Sequence, residues 1–216
     1  ADAAYNALPE THGGKIIGLD HARSIHPMYR DSIPDRWWLT DATSMAARAY
    51  ARDRIMRDVQ NPPTPKNGDR PILLLTAGSQ GSGKSTSLAA DRAIADKVWD
   101  SNLTNAEDAS KVIDEAIKNG WLVHIRYVYR PFNESLASIA NRATAREEGR
   151  PVVFSEAVTS RLNGAKAIGE LAQRYGNNPN VSLSAIRNVT NGNPVAVELS
   201  DVAAGGKLAY TESELR

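Results

Sequence analysis

Apolar and polar positions fall in blocks along this chain, and the blocks predict alternating strands and helices. Residues 15–19 (KIIGL) predict a short strand ending in Asp20, and residues 71–76 (PILLLT) a buried parallel strand. Residues 97–103, 121–129, 181–186 and 195–199 read as further strands from their β-branched and aromatic content. Between them the period becomes helical. From Thr40 or Asp41, the positions Ala42, Met45, Ala46, Ala49, Met56 and Val59 predict an inward helix face. A helix over 85–95 follows the PILLLT strand. The next carries Ala106, Ala109, Val112, Ile113, Ala116 and Ile117 inward, with Thr104 and Glu107 at capping-box spacing and Asn119-Gly120 as its stop. Two more are expected, one from Asn133 to about Glu148 and one from Ser155 to Tyr175, ended by Gly176. Residues 1–14 look polar and irregular. Residues 31–38 look like a loop, with Pro34 breaking regularity and Trp37 and Trp38 covering apolar surface.

The proline-rich stretch 61–70 (NPPTPKNGDR) can continue neither helix nor sheet, and we read it as a surface crossover within one domain. The expected organisation is a single domain over 1–216: a strand–helix unit bearing Asp20 (1–60), the linker (61–70), and the remaining strands and helices (71–216). The net charge of +1 gives no bulk reason to expect nucleic acid or an anionic membrane as partner. The absence of cysteine excludes disulfides and thiolate metal sites and fits a cytoplasmic location. No run has the length of a membrane span. A start at Ala1 suits either a processed protein or a domain cut from a longer chain.

Chemistry enters after the PILLLT strand. Gly78, Gly83, Lys84 and Ser85 fill every fixed position of the phosphate-loop pattern G-x-x-x-x-G-K-[ST], between a predicted strand and a predicted helix. The loop residues Gly78, Ser79, Gln80, Gly81, Ser82, Gly83, Lys84, Ser85 and Thr86 are therefore candidates to bind ATP or GTP. Backbone amides and the helix dipole converge on one anion site, Lys84 can reach the β- and γ-phosphates, and Ser85 can ligate Mg²⁺. A phosphate loop alone does not separate kinases from motor and switch NTPases. Residues 98–100 (VWD) make only a weak Walker-B strand. A kinase needs a carboxylate for an acceptor hydroxyl and cations over the phosphates, roles open to Asp20 and to the arginines from Arg142 to Arg150. Asp20 can equally cap the turn that follows it, Arg48 can border a phosphate-bearing ligand or be solvated, and His124 reads as a packed strand histidine.

These residues resemble the zeta toxin family of P-loop kinases. Residues 20–27 (DHARSIHP) reproduce that family's D-x-x-[KR]-x-x-H-P spacing, and the loop and the later Tyr127-Val128 strand with a basic lid helix are similar too. The resemblance implies an α/β, three-layer P-loop kinase-like fold with a mostly parallel central sheet. It implies transfer of the ATP γ-phosphate to a hydroxyl of a nucleotide-sugar such as UDP-N-acetylglucosamine, with Asp20, Lys84, Arg142 and Arg150 catalytic. Asp20, Arg23, Arg48, Asp100 and Asn102 would hold the acceptor, Ser85 the Mg²⁺, and Asn188 is a candidate to touch the base. An antitoxin protein is the implied partner. Alternative readings are a kinase acting on NAD, a nucleoside or a polynucleotide end, and a non-kinase NTP-binding regulatory module. Two departures stand out. The Asp-bearing strand precedes the loop instead of following it, which suggests a permuted sheet with the Asp20 strand beside the loop strand, and Asp100-Ser101-Asn102 replaces an E-G-T-like segment.

Overall fold

The computed structural model describes residues 1–64, 68–144, 152, 154–189 and 194–205. Its centre is a six-stranded sheet formed by β1 (Ile16–Gly18), β2 (Ile72–Ala77), β3 (Lys97–Asp100), β4 (Leu122–Tyr129), β5 (Val181–Arg187) and β6 (Val195–Val197). The order is β1-β3-β2-β4-β5-β6, with only β6 antiparallel to its neighbour. The Asp20 strand thus pairs with β3 and not with the loop strand, so the expected direct adjacency is corrected: one strand stands between them. A sheet that places β3 between β1 and β2 still sends all three carboxyl ends to one crevice, where ligands of open α/β sheets collect.

Helices cover both faces. On one, α4 (Ile33–Gln60), α7 (Ala106–Lys118) and α9 (Phe154–Tyr175) pack Ile55, Val59, Val112, Ile113, Ile168 and Leu171 onto Ile17, Leu73, Leu75, Val123 and Ile125. The other face is covered at its centre by α5 (Lys84–Ser87) and α6 (Ala89–Ile94), over a smaller cluster of Ile16, Leu74, Ala95 and Val98. The remaining helices are short or peripheral: α1 (Asp2–Asn6), α2 (Leu19–Arg23), α3 (Pro27–Asp31), α8 (Phe132–Thr144) and α10 (Leu199–Gly205). The linker residues described, 61–64 and 68–70, contain no helix or strand.

Five expectations give way to packing. Residues 1–14 are not irregular: α1 and a 3-10 turn at Pro9–Thr11 bury Tyr5 completely. The Tyr5 hydroxyl donates to Ile16 O (3.1 Å) and accepts from Gly18 N (2.9 Å), so it serves the outer edge of β1. Residues 33–38 are helical, because Ser32 caps α4 by accepting from Asp35 N and Pro34 sits at the helix start, where its missing N–H costs nothing. The buried face of α4 is Thr43, Ala47, Ala51, Ile55 and Val59, offset from the predicted one, while Trp38 (83%) and Met45 (84%) are largely exposed. The helix after the phosphate loop is broken at Leu88 into α5 and α6, and Asn105, rather than Thr104, caps α7.

Candidate active site

The loop between β2 and α5 is shaped by what lies against it. Gly81 has φ +73°, and a Cβ there would overlap Ser135 O of α8; Gly83 has φ +83°, and a Cβ would overlap the Asn188 amide. Only glycine meets both demands. Asn188 Nδ2 donates to Ser82 O (2.8 Å) and its backbone N–H to Tyr129 O (2.8 Å), so the end of β5 clamps the loop. Arg130 Nη1 donates to Gly81 O (3.4 Å) and Ser138 Oγ (2.6 Å), linking loop and α8. Lys84 Nζ donates to Gly78 O (2.9 Å), Ser79 O (3.5 Å) and Asn102 Oδ1 (2.9 Å). Because α5 has only one turn, the dipole invoked from a long helix is small, and loop amides with Lys84 carry the positive potential.

Asp20 stands in the first turn of α2, two residues beyond β1, and does not cap it; Gly18 is the N-cap position. The D-x-x-R spacing is a helical i,i+3 pair: Arg23 Nη1 meets Asp20 Oδ1 at 3.0 Å, while Arg23 Nη2 reaches Ser44 Oγ of α4 (3.3 Å). Arg23 is almost buried and the Asp20 side chain half-exposed, so the guanidinium is an anchor that aims a carboxylate into solvent space. His26-Pro27 marks the start of α3, with Pro27 in its first turn.

Asp100 closes β3 with Thr76 of β2 and Gly18 of β1 beside it in register. Its Oδ1 accepts from Thr76 Oγ1 (2.8 Å) and its Oδ2 from Arg92 Nη2 (2.7 Å). Burial alone would raise this carboxyl, but the charges of Lys84 and Arg92 and the hydrogen bonds from Thr76 and Arg92 outweigh it, and its pKa is lowered. Both its oxygens are thus engaged by the protein. His124 is half-buried in β4, where burial and Arg126 push it below its ordinary value.

These walls enclose a cleft of about 1460 Å³. Asp20, Arg23, Arg48, the loop residues from Gln80 to Thr86, Asp100 and Asn102 line it, and so do Arg36, Arg52, Arg92 and Asn163, which sequence alone does not single out. Gly78 and Ser79 lie behind the loop, outside the lining. Arg142 falls on α8 but its side chain is outside the described residues, and Arg150 lies outside them altogether. Pockets for a single small ligand run to roughly 300–1,000 Å³, and this cleft is larger. Arg36, Arg48 and Arg52 could have been traced only as a helix face. Arg92 carries no spacing signal at all, because its partner is set by a strand crossing that lies between them in neither sequence nor periodicity.

A phosphate loop and a carboxylate-bearing helix turn open on one cleft, an arrangement that suits nucleotide-dependent phosphate transfer. The family described as Zeta toxin matches residues 89–191, and its members are ATP-dependent kinases. That match bears out the resemblance and the kinase class read from the sequence. It begins in α6, after both the loop and the Asp20 unit, where a rearranged strand order would end collinearity. No curated protein matches the chain. Among solved structures, the AvrRxo1-ORF1:AvrRxo1-ORF2 complex with sulphate ions is similar over 83% of this chain and 75% of that one, at 14% identity and a TM-score of 0.53. The same complex with ATP covers 89% and 72%, again at 14% identity and a TM-score of 0.53. At this identity the likeness is one of fold.

Proposed function

We propose that this protein is an ATP-dependent kinase of zeta-toxin type that phosphorylates a hydroxyl of a nucleotide-sugar such as UDP-N-acetylglucosamine. The observation that carries the reading is the shared cleft: the phosphate loop on one wall, Asp20 on its Arg23 anchor on the other. In the transfer, the acceptor oxygen forms a bond to the γ-phosphorus, the bond from that phosphorus to the bridging oxygen breaks, and ADP leaves. Asp20 orients the hydroxyl and takes its proton. Lys84 exchanges its loop and Asn102 acceptors for β- and γ-phosphate oxygens, and Arg142 with Arg150 spreads the charge of the migrating group.

The donor set fits a cation that arrives with the nucleotide. Among the described residues no cluster of three His, Cys, Asp or Glu could hold a metal alone, and Ser85 offers one hydroxyl on the cleft wall. Mg²⁺ bound to a polyphosphate needs little more than that. When bound it would neutralise phosphate charge. Arg23, Arg36, Arg48 and Arg52 on the acceptor wall favour an acceptor that itself carries phosphate, as a nucleotide-sugar does. A protein partner that covers the cleft, antitoxin-like, is part of the same proposal; the similar structures are complexes of AvrRxo1-ORF1 with AvrRxo1-ORF2.

The test is incubation with Mg-ATP and a panel of sugar nucleotides, NAD, nucleosides and polynucleotide ends, followed by mass spectrometry. A UDP-N-acetylglucosamine product heavier by one phosphate is expected. Phosphorylation of NAD or a nucleoside instead would move the acceptor, and ADP without any phosphorylated acceptor would favour a regulatory module or ATPase.

A further inference from the structure

The helix after the phosphate loop is tied to the sheet by two consecutive residues. Asp91 pairs with Arg126 of β4 at 2.9 Å, and Arg92 pairs with Asp100 of β3 at 2.7 Å. Arg126, Thr76, Asp100 and Gly18 form one register row across four strands at the carboxyl end of the sheet. The two clamps are alike in burial, with side chains 18% and 27% exposed in the first and 15% and 20% in the second. They differ in what stands next to them. Asp100 is two residues from Asn102, whose Oδ1 takes one of the Lys84 hydrogen bonds, and the charge of that lysine helps to lower the Asp100 pKa. Arg126 lies one strand further on, beside Ser182 of β5.

We infer that Arg92 is a positioning residue for the phosphate loop: by occupying Asp100, it keeps that carboxylate from capturing Lys84 and leaves the ammonium free to exchange its partners for phosphate. A largely buried carboxylate stripped of its guanidinium must find another cation, and Lys84, held at 2.9 Å by Asn102 two residues further along the chain, is the cation at hand. Thr76 fixes Asp100 from the other side through Oδ1, so removing Arg92 leaves one oxygen aimed and uncompensated. Arg92 is also on the cleft wall, its Nε buried without a hydrogen-bond partner. Its role is therefore electrostatic control of the loop lysine as well as attachment of α6.

This inference rests on the reading that the loop binds ATP. The experiment measures Mg-ATP affinity of the full chain by calorimetry, with melting temperature alongside. Arg92→Gln is expected to weaken binding by about tenfold, the change that a lost charge contact of moderate strength gives. Asp91→Asn, which breaks the matching clamp, should change ATP affinity by less than about twofold, because β2 separates its partner's strand from that of Asp100 and the two pairs share no partner. The decisive variant is Arg92→Gln/Asp100→Asn. It carries no unpaired buried charge, should fold even if Arg92→Gln does not, and should recover most of the wild-type affinity because nothing then competes for Lys84. Arg92→Lys, keeping the charge, should stay close to wild type. The inference is overturned if Arg92→Gln binds as the wild type does, if Asp91→Asn weakens ATP equally, or if the double variant binds ATP about tenfold more weakly than the wild type. A wild-type protein that binds no Mg-ATP at all would sink the nucleotide reading itself.

Discussion

The two walls of the cleft are built on opposite plans. The nucleotide wall is one continuous loop, residues 78–86, whose shape is set by backbone packing: Gly81 against Ser135 O, Gly83 under Asn188, Ser82 O held by the Asn188 amide. The wall that we propose holds the acceptor is discontinuous. It brings Asp20 and its anchor Arg23 from α2 and Arg36, Arg48 and Arg52 from α4 to the cleft lining. Space therefore limits the first wall and charge the second. An added methyl should disable the loop where it would be harmless across the cleft, and a neutralised charge should do the reverse.

The largest expected effect tests the charge side. Asp20→Ala should lower phosphate transfer by about 10²–10⁴-fold, the usual contribution of a general base, while calorimetry shows ATP binding unchanged. An unchanged transfer rate would remove Asp20 from the chemistry. Next comes the space side. Gly81→Ala should cost about 1–3 kcal/mol of stability through overpacking against α8, seen as a lower melting temperature, together with weaker ATP binding. A wild-type melting curve would show that α8 yields, and the contrast between the walls would fail. Arg48→Gln should raise the acceptor KM by about tenfold, the value of one charge-assisted contact, with the KM for ATP unmoved. If the ATP KM moves instead, Arg48 belongs to the other wall. The smallest effect is a pH dependence. Asp100 titrates below its unfolded value of about 3.9 in the fold, so its contribution to stability is present above that pH and is lost as pH falls through the lowered value. Urea midpoints of Asp100→Asn should therefore decline less steeply in acid than those of the wild type.

Legibility in the sequence follows the same division. The loop could be read because its demands are local: Gly78, Gly83, Lys84 and Ser85 sit at fixed offsets that any strand–loop–helix imposes. Asp20 and Arg23 were readable for a related reason, since their spacing is one helical turn. The strand β2 announced itself by an uninterrupted apolar run, which is what burial on both faces produces, and β4 and β5 by alternating apolar positions with β-branched or aromatic residues. What escaped depended on neighbours distant in sequence. The buried stripe of α4 was misplaced because alanines fill its middle, and alanine tolerates either face; Met45 was expected on the inward face, and Trp37 and Trp38 over apolar surface in a loop, yet all three are exposed on the helix. Tyr5 in a polar N-terminal stretch gave no sign that its ring and hydroxyl belong to β1. The pairing of β1 with β3 instead of β2 is likewise a property of topology, and no local pattern encodes strand order.

The Tyr5 contact has a consequence beyond the fold of one chain. β1 is a terminal strand of the sheet, and two of its outward-facing groups, Ile16 O and Gly18 N, are taken by a single phenol oxygen. An open strand edge is a template for recruiting further chains, a hazard that folded proteins suppress by covering or charging it. Here one hydroxyl blunts that template. Asp20, two residues past Gly18, thus follows a strand edge with fewer groups open to a further chain.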